Sequence, residues 1–335
     1  MVAERVSPPG RPKGEHRSAQ HEGAPVSPPA SAIDARAVRR HFARAAGTYD
    51  AAAVLQREVG SRLADRLEVV RLTPRRILDA GCGTGEALLD LGRRYPAAAR
   101  VGLDLALPML ERARERTGGR ASLGERLRAR LMARATAAPA FACGDLAALP
   151  FAAGAFDLVW SNLALQWVAD PQRAFAGLLQ VIRDGGLLAF TTFGPDTLGE
   201  LRGVFAAVDG EPHVSRFVDL HDLGDMLVAA GFSDPVMEME RFTLTYPDAP
   251  AFLRDLKAIG ATNAAAGRAR GLMGRQRWAR VQEGLEALRT GAPDARLPAT
   301  YEVIYGHAWK APARTTADGR AIVSFVRSPR GTGAR

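Results

Sequence analysis

Residues 77–85 read Ile-Leu-Asp-Ala-Gly-Cys-Gly-Thr-Gly, an apolar run that meets an acid and passes into three alternating glycines, Gly81, Gly83 and Gly85. Glycine permits both a sharp turn and the close approach of a ligand to the bare main chain. An apolar helical stripe follows over residues 87–91, and the first N–H groups of such a helix point at the ligand. The stretch therefore predicts a strand, a ligand-binding turn and a helix, rather than a tight turn that binds nothing.

A second acid follows at the spacing that nucleotide binding requires. Residues 101–104 form another short apolar run, which ends in Asp104, 19 positions after Gly85. A carboxylate about 20 residues beyond the glycine turn grips ribose hydroxyls in nucleotide-binding folds. Residues 105–110 then begin a helix. We expect a nucleotide-like cofactor at this turn.

Strand and helix patterns alternate from residue 76 to residue 193. Apolar runs over 141–146 and 156–162 read as strands, each with a polar residue at or near its end. A helix is predicted over 171–182, and a Gly-Gly turn leads into a fifth strand at 187–190. Strands that alternate with helices indicate an α/β fold with a parallel, doubly wound sheet.

The N-terminal region divides into a tail and a pair of helices. Residues 1–31 are rich in Pro, Gly, Ser and charge, which predicts a disordered tail, although a mis-assigned start codon would also explain them. Asp34 is placed to cap a helix in the 32–72 region. These helices either fold over the glycine turn as a lid or cover a sheet edge, and the two roles are compatible. The second helix carries an apolar stripe of Leu55, Val59, Leu63 and Leu67.

Two further regions depart from the alternation. Residues 112–134 are rich in arginine and read as an inserted basic helical hairpin, or as a solvated surface without a partner. We place the cofactor-binding core at 73–195, a substrate-side part that completes the sheet at 196–326, and a second disordered tail at 327–335. The elements predicted in the substrate-side part are helices over 195–208 and 222–230 and strands over 235–246 and 301–309. Residues 250–290 are predicted to be helical, broken by glycines, and to form a helical insertion before the last strand.

Composition limits the classes of partner and site. The 335 residues, 47% of them hydrophobic, carry a formal net charge of +9, which fits an acidic partner, nucleic acid, or a genome that favours arginine. The two cysteines, Cys82 and Cys143, and the six scattered histidines offer neither a disulfide framework nor metal-ligand spacing. No run approaches ~18 consecutive apolar residues and no signal-peptide core is present. We expect a cytoplasmic monomer without a metal.

The glycine turn and the acids together resemble the class I S-adenosylmethionine-dependent methyltransferases. The matching residues are Asp79 to Gly85, Asp104, Gly144-Asp145, Phe156 to Val159, and the Gly185-Gly186 turn. The resemblance implies a Rossmann-like, seven-stranded sheet whose last strand is antiparallel, with S-adenosylmethionine as the cofactor. It also implies that the glycines approach the methionine part, that Asp104 holds the ribose, and that Asp145 and Leu146 border the adenine. The implied cofactor-binding residues are Asp79, Gly81, Cys82, Gly83, Gly85, Asp104, Leu105, Met109, Asp145, Leu146 and Asn162.

A narrower resemblance covers most of residues 38–326. The stretches 40–50, 161–167, 192–198, 213–225 and 305–310 are similar to the malonyl-acyl-carrier protein O-methyltransferases of biotin synthesis. The mitochondrial complex I assembly factors that hydroxylate protein arginine share several of these stretches, so arginine hydroxylation, or another small-molecule methylation, is the alternative activity.

A malonyl carboxylate is ionised at neutral pH, so its methylation requires no general base. The site must instead orient the carboxylate and exclude water. We expect Tyr49 and Arg202 to hold the substrate carboxylate, with Trp167 as a wall, although each has a packing or surface role as its alternative. Asn162 is expected to face the substrate.

An acidic acyl carrier protein requires a basic docking face. The preferred face is the first helix, and the 112–134 stretch is the other. A nucleic-acid partner is disfavoured, because no base-amine motif and no basic-aromatic binding module are evident. The arginines of the first helix are Arg36, Arg39, Arg40 and Arg44.

Overall fold

The computed structural model describes residues 33–118, 138–268, 271, 273–289 and 295–312. Within these, seven strands form one sheet in the order β3-β2-β1-β4-β5-β7-β6. Strands β1 to β5 are parallel, whereas β7 runs antiparallel to both β5 and β6. The predicted doubly wound α/β sheet with an antiparallel last strand is confirmed. The strands are β1 (Arg76–Ala80), β2 (Ala99–Asp104), β3 (Ala140–Cys143), β4 (Phe156–Ser161), β5 (Ile182–Phe193), β6 (Ser233–Tyr246) and β7 (Leu297–Trp309).

Helices cover both faces of the sheet, which is why the central strands are buried. All six residues of β4 are buried, and separate apolar clusters occupy the two faces. The helices are α1 (Ala35–Ala45), α2 (Tyr49–Ala52), α3 (Val54–Arg66), α4 (Glu86–Arg94), α5 (Leu107–Gly118), α6 (Pro171–Val181), α7 (Gly199–Val208), α8 (Leu220–Ala230), α9 (Ala249–Ala258) and α10 (Arg275–Ala287).

Local chemistry accounts for several helix ends. The Asp34 carboxylate accepts a hydrogen bond of 3.0 Å from the Ala37 N–H and so caps α1 as predicted. Gly231 ends α8 with a φ of 101°, a left-handed conformation that glycine adopts without strain. Helices α9 and α10 lie between β6 and β7 and form the helical insertion before the last strand.

The predicted starts of β5 and α7 are wrong. β5 begins at Ile182, so the Gly185-Gly186 turn expected before it lies within the strand, where the register against β4 shifts between Phe156 and Leu158. The helix expected from residue 195 begins only at Gly199, because Leu198 has a φ of 53° and its N–H donates to the Thr300 carbonyl. Residues 195–198 therefore form a loop against β7. The expected tails at 1–31 and 327–335, and most of the arginine-rich 112–134 stretch, lie outside the described residues.

Candidate active site

The glycine turn after β1 leaves no room for a side chain at Gly81 or at Gly85. Gly81 has a φ of 88°, and a Cβ on it would lie 2.3 Å from the Cβ of Ala164. Gly85 also has a positive φ, and its Cβ would lie 2.9 Å from that of Ala113 on α5. Gly81 thus permits close packing beside a cavity, whereas Gly85 serves the packing of the turn against α5.

A front cavity of about 640 Å³ opens in front of this turn. Eight of the eleven predicted cofactor-binding residues line it, and the side chains of Val38, Phe42 and Tyr49 from the N-terminal helices cover it. Gly85 is not part of its wall. The predicted residues in the wall are Gly81, Gly83, Asp104, Leu105, Met109, Asp145, Leu146 and Asn162.

Asp104 is fixed at the end of β2 by the backbone around it. Its two carboxylate oxygens each accept a hydrogen bond of 2.9 Å, one from the Gly83 N–H and one from the Ala106 N–H. Burial raises the pKa of Asp104 above its ordinary value. The glycine turn and the acid are thus connected directly.

A rear cavity of about 910 Å³ lies behind the same turn, and Asp79 and Cys82, two of the three remaining predicted residues, line it, whereas Gly85 lines neither cavity. Asp79 is 2% exposed, and its Oδ2 has no hydrogen-bond partner among the described residues. Burial and the neighbouring Asp104 raise the pKa of Asp79 to about 8. A buried carboxyl oxygen without a partner is suited to a ligand that brings a positive charge and N–H donors.

A largely apolar channel of about 720 Å³ adjoins the front cavity and shares Phe42, Tyr49, Leu163 and Trp167 with it. Its wall includes Thr197 and Leu198 of the 195–198 loop. Two later stretches contribute His213, Val214, Ser215 and Phe217, and then Leu256, Ile259, Ala261, Thr262 and Asn263. None of the described residues in this wall is Lys, Arg, Asp or Glu, and its one histidine, His213, is hydrogen-bonded to Asp209 at 3.0 Å. Such a channel favours an uncharged, extended group.

Tyr49 lies where all three spaces meet, because it lines the front cavity, the rear cavity and the channel. Phe42 and Trp167 beside it form a T-shaped pair at 5.4 Å and line both the front cavity and the channel. Burial and the nearby Asp104 raise the pKa of Tyr49, so its hydroxyl stays protonated and neutral. No described residue hydrogen-bonds to this hydroxyl.

The other residue expected to hold a carboxylate, Arg202, is not brought to this junction. Its guanidinium donates hydrogen bonds of 2.9 and 3.0 Å to the carbonyls of Pro195 and Thr197. It is absent from the walls of the three spaces, whereas its neighbour Leu201 lines the channel. Arg202 braces the loop that forms part of the channel.

Sequence reasoning missed Gln56 and Arg57 on α3. Gln56 lines both the channel and the rear cavity, and Arg57 lines the rear cavity and donates to the Asp50 carbonyl at 2.7 Å. In the sequence they are ordinary polar positions of an amphipathic helix. The signal that could have found them is the short link between Tyr49 and α3, which keeps the first turns of α3 at the site.

Two absences apply to the described part of the chain. No group of three or more His, Cys, Asp or Glu side chains is arranged to hold a metal ion. No described helix combines the length and apolar character needed to cross a membrane.

The sheet order, the glycine turn and the acid at the end of β2 define a Rossmann-like class I methyltransferase fold. The methyltransferase domain family matches residues 78–190. Malonyl-acyl-carrier protein O-methyltransferase of Laribacter hongkongensis is 54% identical over 87% of this chain and 96% of its own length. The enzyme of the same name from Gallionella capsiferriformans is 50% identical over 87% and 96%. The chain belongs to the malonyl-acyl-carrier protein O-methyltransferase family.

Proposed function

We propose that this protein transfers the methyl group of S-adenosylmethionine to the free carboxylate of a malonyl group on an acyl carrier protein, the step that starts pimeloyl synthesis for biotin. The family membership, at 54% identity over most of the chain, carries this proposal. The uncharged channel that meets the two cavities at Tyr49 supports it, because a pantetheine arm is long, narrow and uncharged along most of its length.

The residues of both cavities fit S-adenosylmethionine. Asp104 and the wall of Leu105, Asp145 and Leu146 suit a nucleoside in the front cavity. The rear cavity suits the amino acid part, since the unpartnered Asp79 oxygen can accept from an ammonium and Arg57 can pair with a carboxylate. When bound there, the cofactor supplies a methyl group on a sulfonium, which the malonyl carboxylate oxygen takes in an in-line displacement that releases S-adenosylhomocysteine and no proton.

The protein contributes orientation and a dry environment rather than acid–base chemistry. The malonyl carboxylate is already ionised, and Tyr49 remains a neutral hydrogen-bond donor that can hold it without protonating it. Phe42 and Trp167 keep water from the junction, which preserves the nucleophilicity of the carboxylate. Holding two reactants in line is worth up to ~7–11 kcal/mol of the barrier.

The carrier protein is expected to dock on α1. Arg36, Arg39, Arg40 and Arg44 are all exposed on this helix, and none of them forms an ion pair with a described residue. Phe42 of the same helix lines the channel, so a carrier seated on α1 can deliver its arm into the channel. The complementary charge of an acidic carrier would accelerate association.

The decisive experiment incubates the protein with methyl-labelled S-adenosylmethionine and malonyl-acyl carrier protein. We expect the acyl chain to gain one methyl group that esterase treatment removes. Malonyl-coenzyme A tests the preference between carrier and coenzyme A thioesters. If neither malonyl-acyl carrier protein nor malonyl-coenzyme A gains label, the proposal is overturned. Arginine hydroxylation or another methylation would then be tested.

A further inference from the structure

We propose that the side-chain amide of Gln56 holds the acceptor carboxylate at the junction, and that Asn162 is the positioning residue for Gln56. The inference rests on the proposed function, because it names the group that recognises the carboxylate acceptor of that reaction.

The location of Gln56 singles it out. It lines the channel, through which the acceptor enters, and also the rear cavity behind the glycine turn. Its Oε1 is buried and has no partner among the described residues, and no described residue accepts from its Nε2. Most buried polar side-chain atoms have a partner, and leaving one without costs ~1–3 kcal/mol. No described protein group therefore holds this amide: the Nε2 is available to donate to a carboxylate, and the Oε1 is available to a donor on a second ligand.

The backbone of Gln56 is fixed, in contrast to its side chain. The Asn162 Nδ2 donates a hydrogen bond of 2.9 Å to the Gln56 carbonyl. The Asn162 Oδ1 accepts one of 2.7 Å from the hydroxyl of Thr191, a fully buried residue of β5. Asn162 thus links β5 to the backbone of α3 at Gln56, in addition to the apolar packing of Leu55 and Val59.

Gly60 makes this arrangement possible. It lies one turn after Gln56 in the interior of α3, where glycine costs ~1 kcal/mol relative to alanine. A Cβ on Gly60 would lie 3.1 Å from the Asn162 Nδ2. The glycine lowers the intrinsic stability of α3 but leaves room for Asn162 to reach the Gln56 carbonyl.

A neutral amide is well matched to a carboxylate that must remain a nucleophile. Its N–H₂ group offers two donors without a compensating charge. An arginine would form a charge-assisted bidentate pair, which binds a carboxylate more strongly and withdraws its negative charge. The channel wall contains no described Lys or Arg, and Tyr49 beside Gln56 is neutral as well.

Two variants of similar size test the inference. Gln56→Leu removes the donors, and we expect kcat/KM for malonyl-acyl carrier protein to fall about 10- to 100-fold, as loss of one or two hydrogen bonds to a charged group implies. Gln56→Glu places a carboxylate against the acceptor, and we expect a larger loss at pH 7.5. This loss should diminish toward pH 6, where the raised pKa of a buried, charge-repelled Glu leaves it protonated and able to donate. Gln56→Leu should show no such recovery.

Binding measurements separate this role from a structural one. In the presence of S-adenosylhomocysteine, the Kd of malonyl-acyl carrier protein should rise in both variants, while the Kd of S-adenosylhomocysteine itself changes less than about threefold. Gln276→Leu, at an exposed position of α10, is the matched control and should behave as wild type. Asn162→Ala should lower kcat/KM in the same direction as Gln56→Leu, with little further loss in the double variant.

Three outcomes would overturn the inference. If the wild type is active and Gln56→Leu leaves kcat/KM and the Kd for malonyl-acyl carrier protein unchanged, Gln56 does not bind the acceptor. The proposed function would then remain intact. Weaker S-adenosylhomocysteine binding in proportion to the lost activity would assign Gln56 to the cofactor side. A wild-type protein that methylates no malonyl thioester would overturn the proposed function and this inference together.

Discussion

The Thr84 hydroxyl donates a hydrogen bond of 2.6 Å to the Asp50 carboxylate, and this contact joins the helix that begins at Tyr49 to the glycine turn. Arg116 of α5 pairs with the other Asp50 oxygen at 2.6 Å. The Asp50 carboxylate thus connects three elements around the site: the helix that begins at Tyr49, the glycine turn and α5.

Replacement of Asp50 by Asn should loosen this cover. A hydrogen bond to a charged group is worth ~1.5–3 kcal/mol, and Asp50 falls at the lower end because its side chain is 45% exposed. We expect the Kd of S-adenosylhomocysteine, measured by calorimetry, to rise about tenfold. Asp65→Asn, at an exposed position of α3, is the control. Equal affinity in Asp50→Asn and wild type would show that the contact does not stabilise the closed site.

The stability of the ligand-free protein should depend on pH through Asp79. Its carboxyl has a pKa of about 8 in the folded protein against an ordinary value of 3.8, so the folded state holds an extra proton between these values. This contribution to stability is complete below about pH 4 and is lost as the pH rises through 8. We expect the free energy of unfolding in urea to decrease from pH 6 to pH 8, and Asp79→Asn to reduce that decrease.

The control for this slope is Asp225→Asn, which alters an exposed carboxylate of α8 that forms no ion pair with a described residue. The same slope in wild type and Asp79→Asn would contradict the prediction, because the decrease would then arise from other groups.

Two glycines in different surroundings should respond oppositely to alanine. Gly81→Ala introduces a Cβ at 2.3 Å from Ala164 at a φ of 88°, so we expect a loss of more than about 2 kcal/mol of stability and of detectable S-adenosylhomocysteine binding. Gly203→Ala in α7 meets nothing within 4 Å and should stabilise the protein by ~0.5–1 kcal/mol. Thermal unfolding measures the change in stability, and calorimetry measures the binding of S-adenosylhomocysteine. Wild-type stability in Gly81→Ala would contradict the close packing inferred at this position.

Arg202 can be tested as a brace against its expected role as a carboxylate ligand. Because its guanidinium holds the carbonyls of Pro195 and Thr197, Arg202→Met should lower the free energy of unfolding by ~1–3 kcal/mol. The Kd of malonyl-acyl carrier protein should rise only as far as the loop loosens. A large rise in this Kd without any loss of stability would favour direct contact with the carboxylate.

The double variant Arg39→Glu with Arg40→Glu should weaken docking of the carrier. Both arginines are exposed on α1, and the reversal puts like charges against an acidic partner. We expect KM for malonyl-acyl carrier protein to rise about tenfold or more at low salt, the difference to shrink at high salt, and cofactor affinity to stay unchanged. KM for malonyl-coenzyme A, which lacks the carrier protein, serves as the control. Unchanged KM for the carrier-bound substrate would place the docking face elsewhere.

The positions of the residues proposed to bind the cofactor could be predicted from the sequence, because local rules place them. A parallel strand, a glycine turn and a helix bring Asp79, Gly81 and Asp104 to one edge of the sheet wherever the pattern occurs. In the structure, these three predicted residues line the front cavity or the rear cavity.

The proposed acceptor side could be predicted only in part, because contacts distant in the chain create the rest of it. Gln56 is positioned by Asn162, 106 residues further along, and nothing in its own helix distinguishes it. Arg202 has the charge expected of an anion ligand, but its guanidinium donates to the carbonyls of Pro195 and Thr197. These carbonyls belong to the loop that contains Leu198, which has a left-handed backbone conformation. Side chains of this kind depend on packing that periodicity does not reveal.

Most residues of the channel wall follow the 78–190 stretch that matches the methyltransferase domain, whereas Leu163, Gln166 and Trp167 lie within that stretch and Phe42, Tyr49 and Gln56 precede it. The glycine turn and Asp104 lie inside the matched stretch. Sequence change in the later part of the gene can therefore reshape most of the channel without altering the glycine turn or Asp104. The residues at which the channel meets the two cavities leave less freedom, because they come from the matched stretch and from the segment before it.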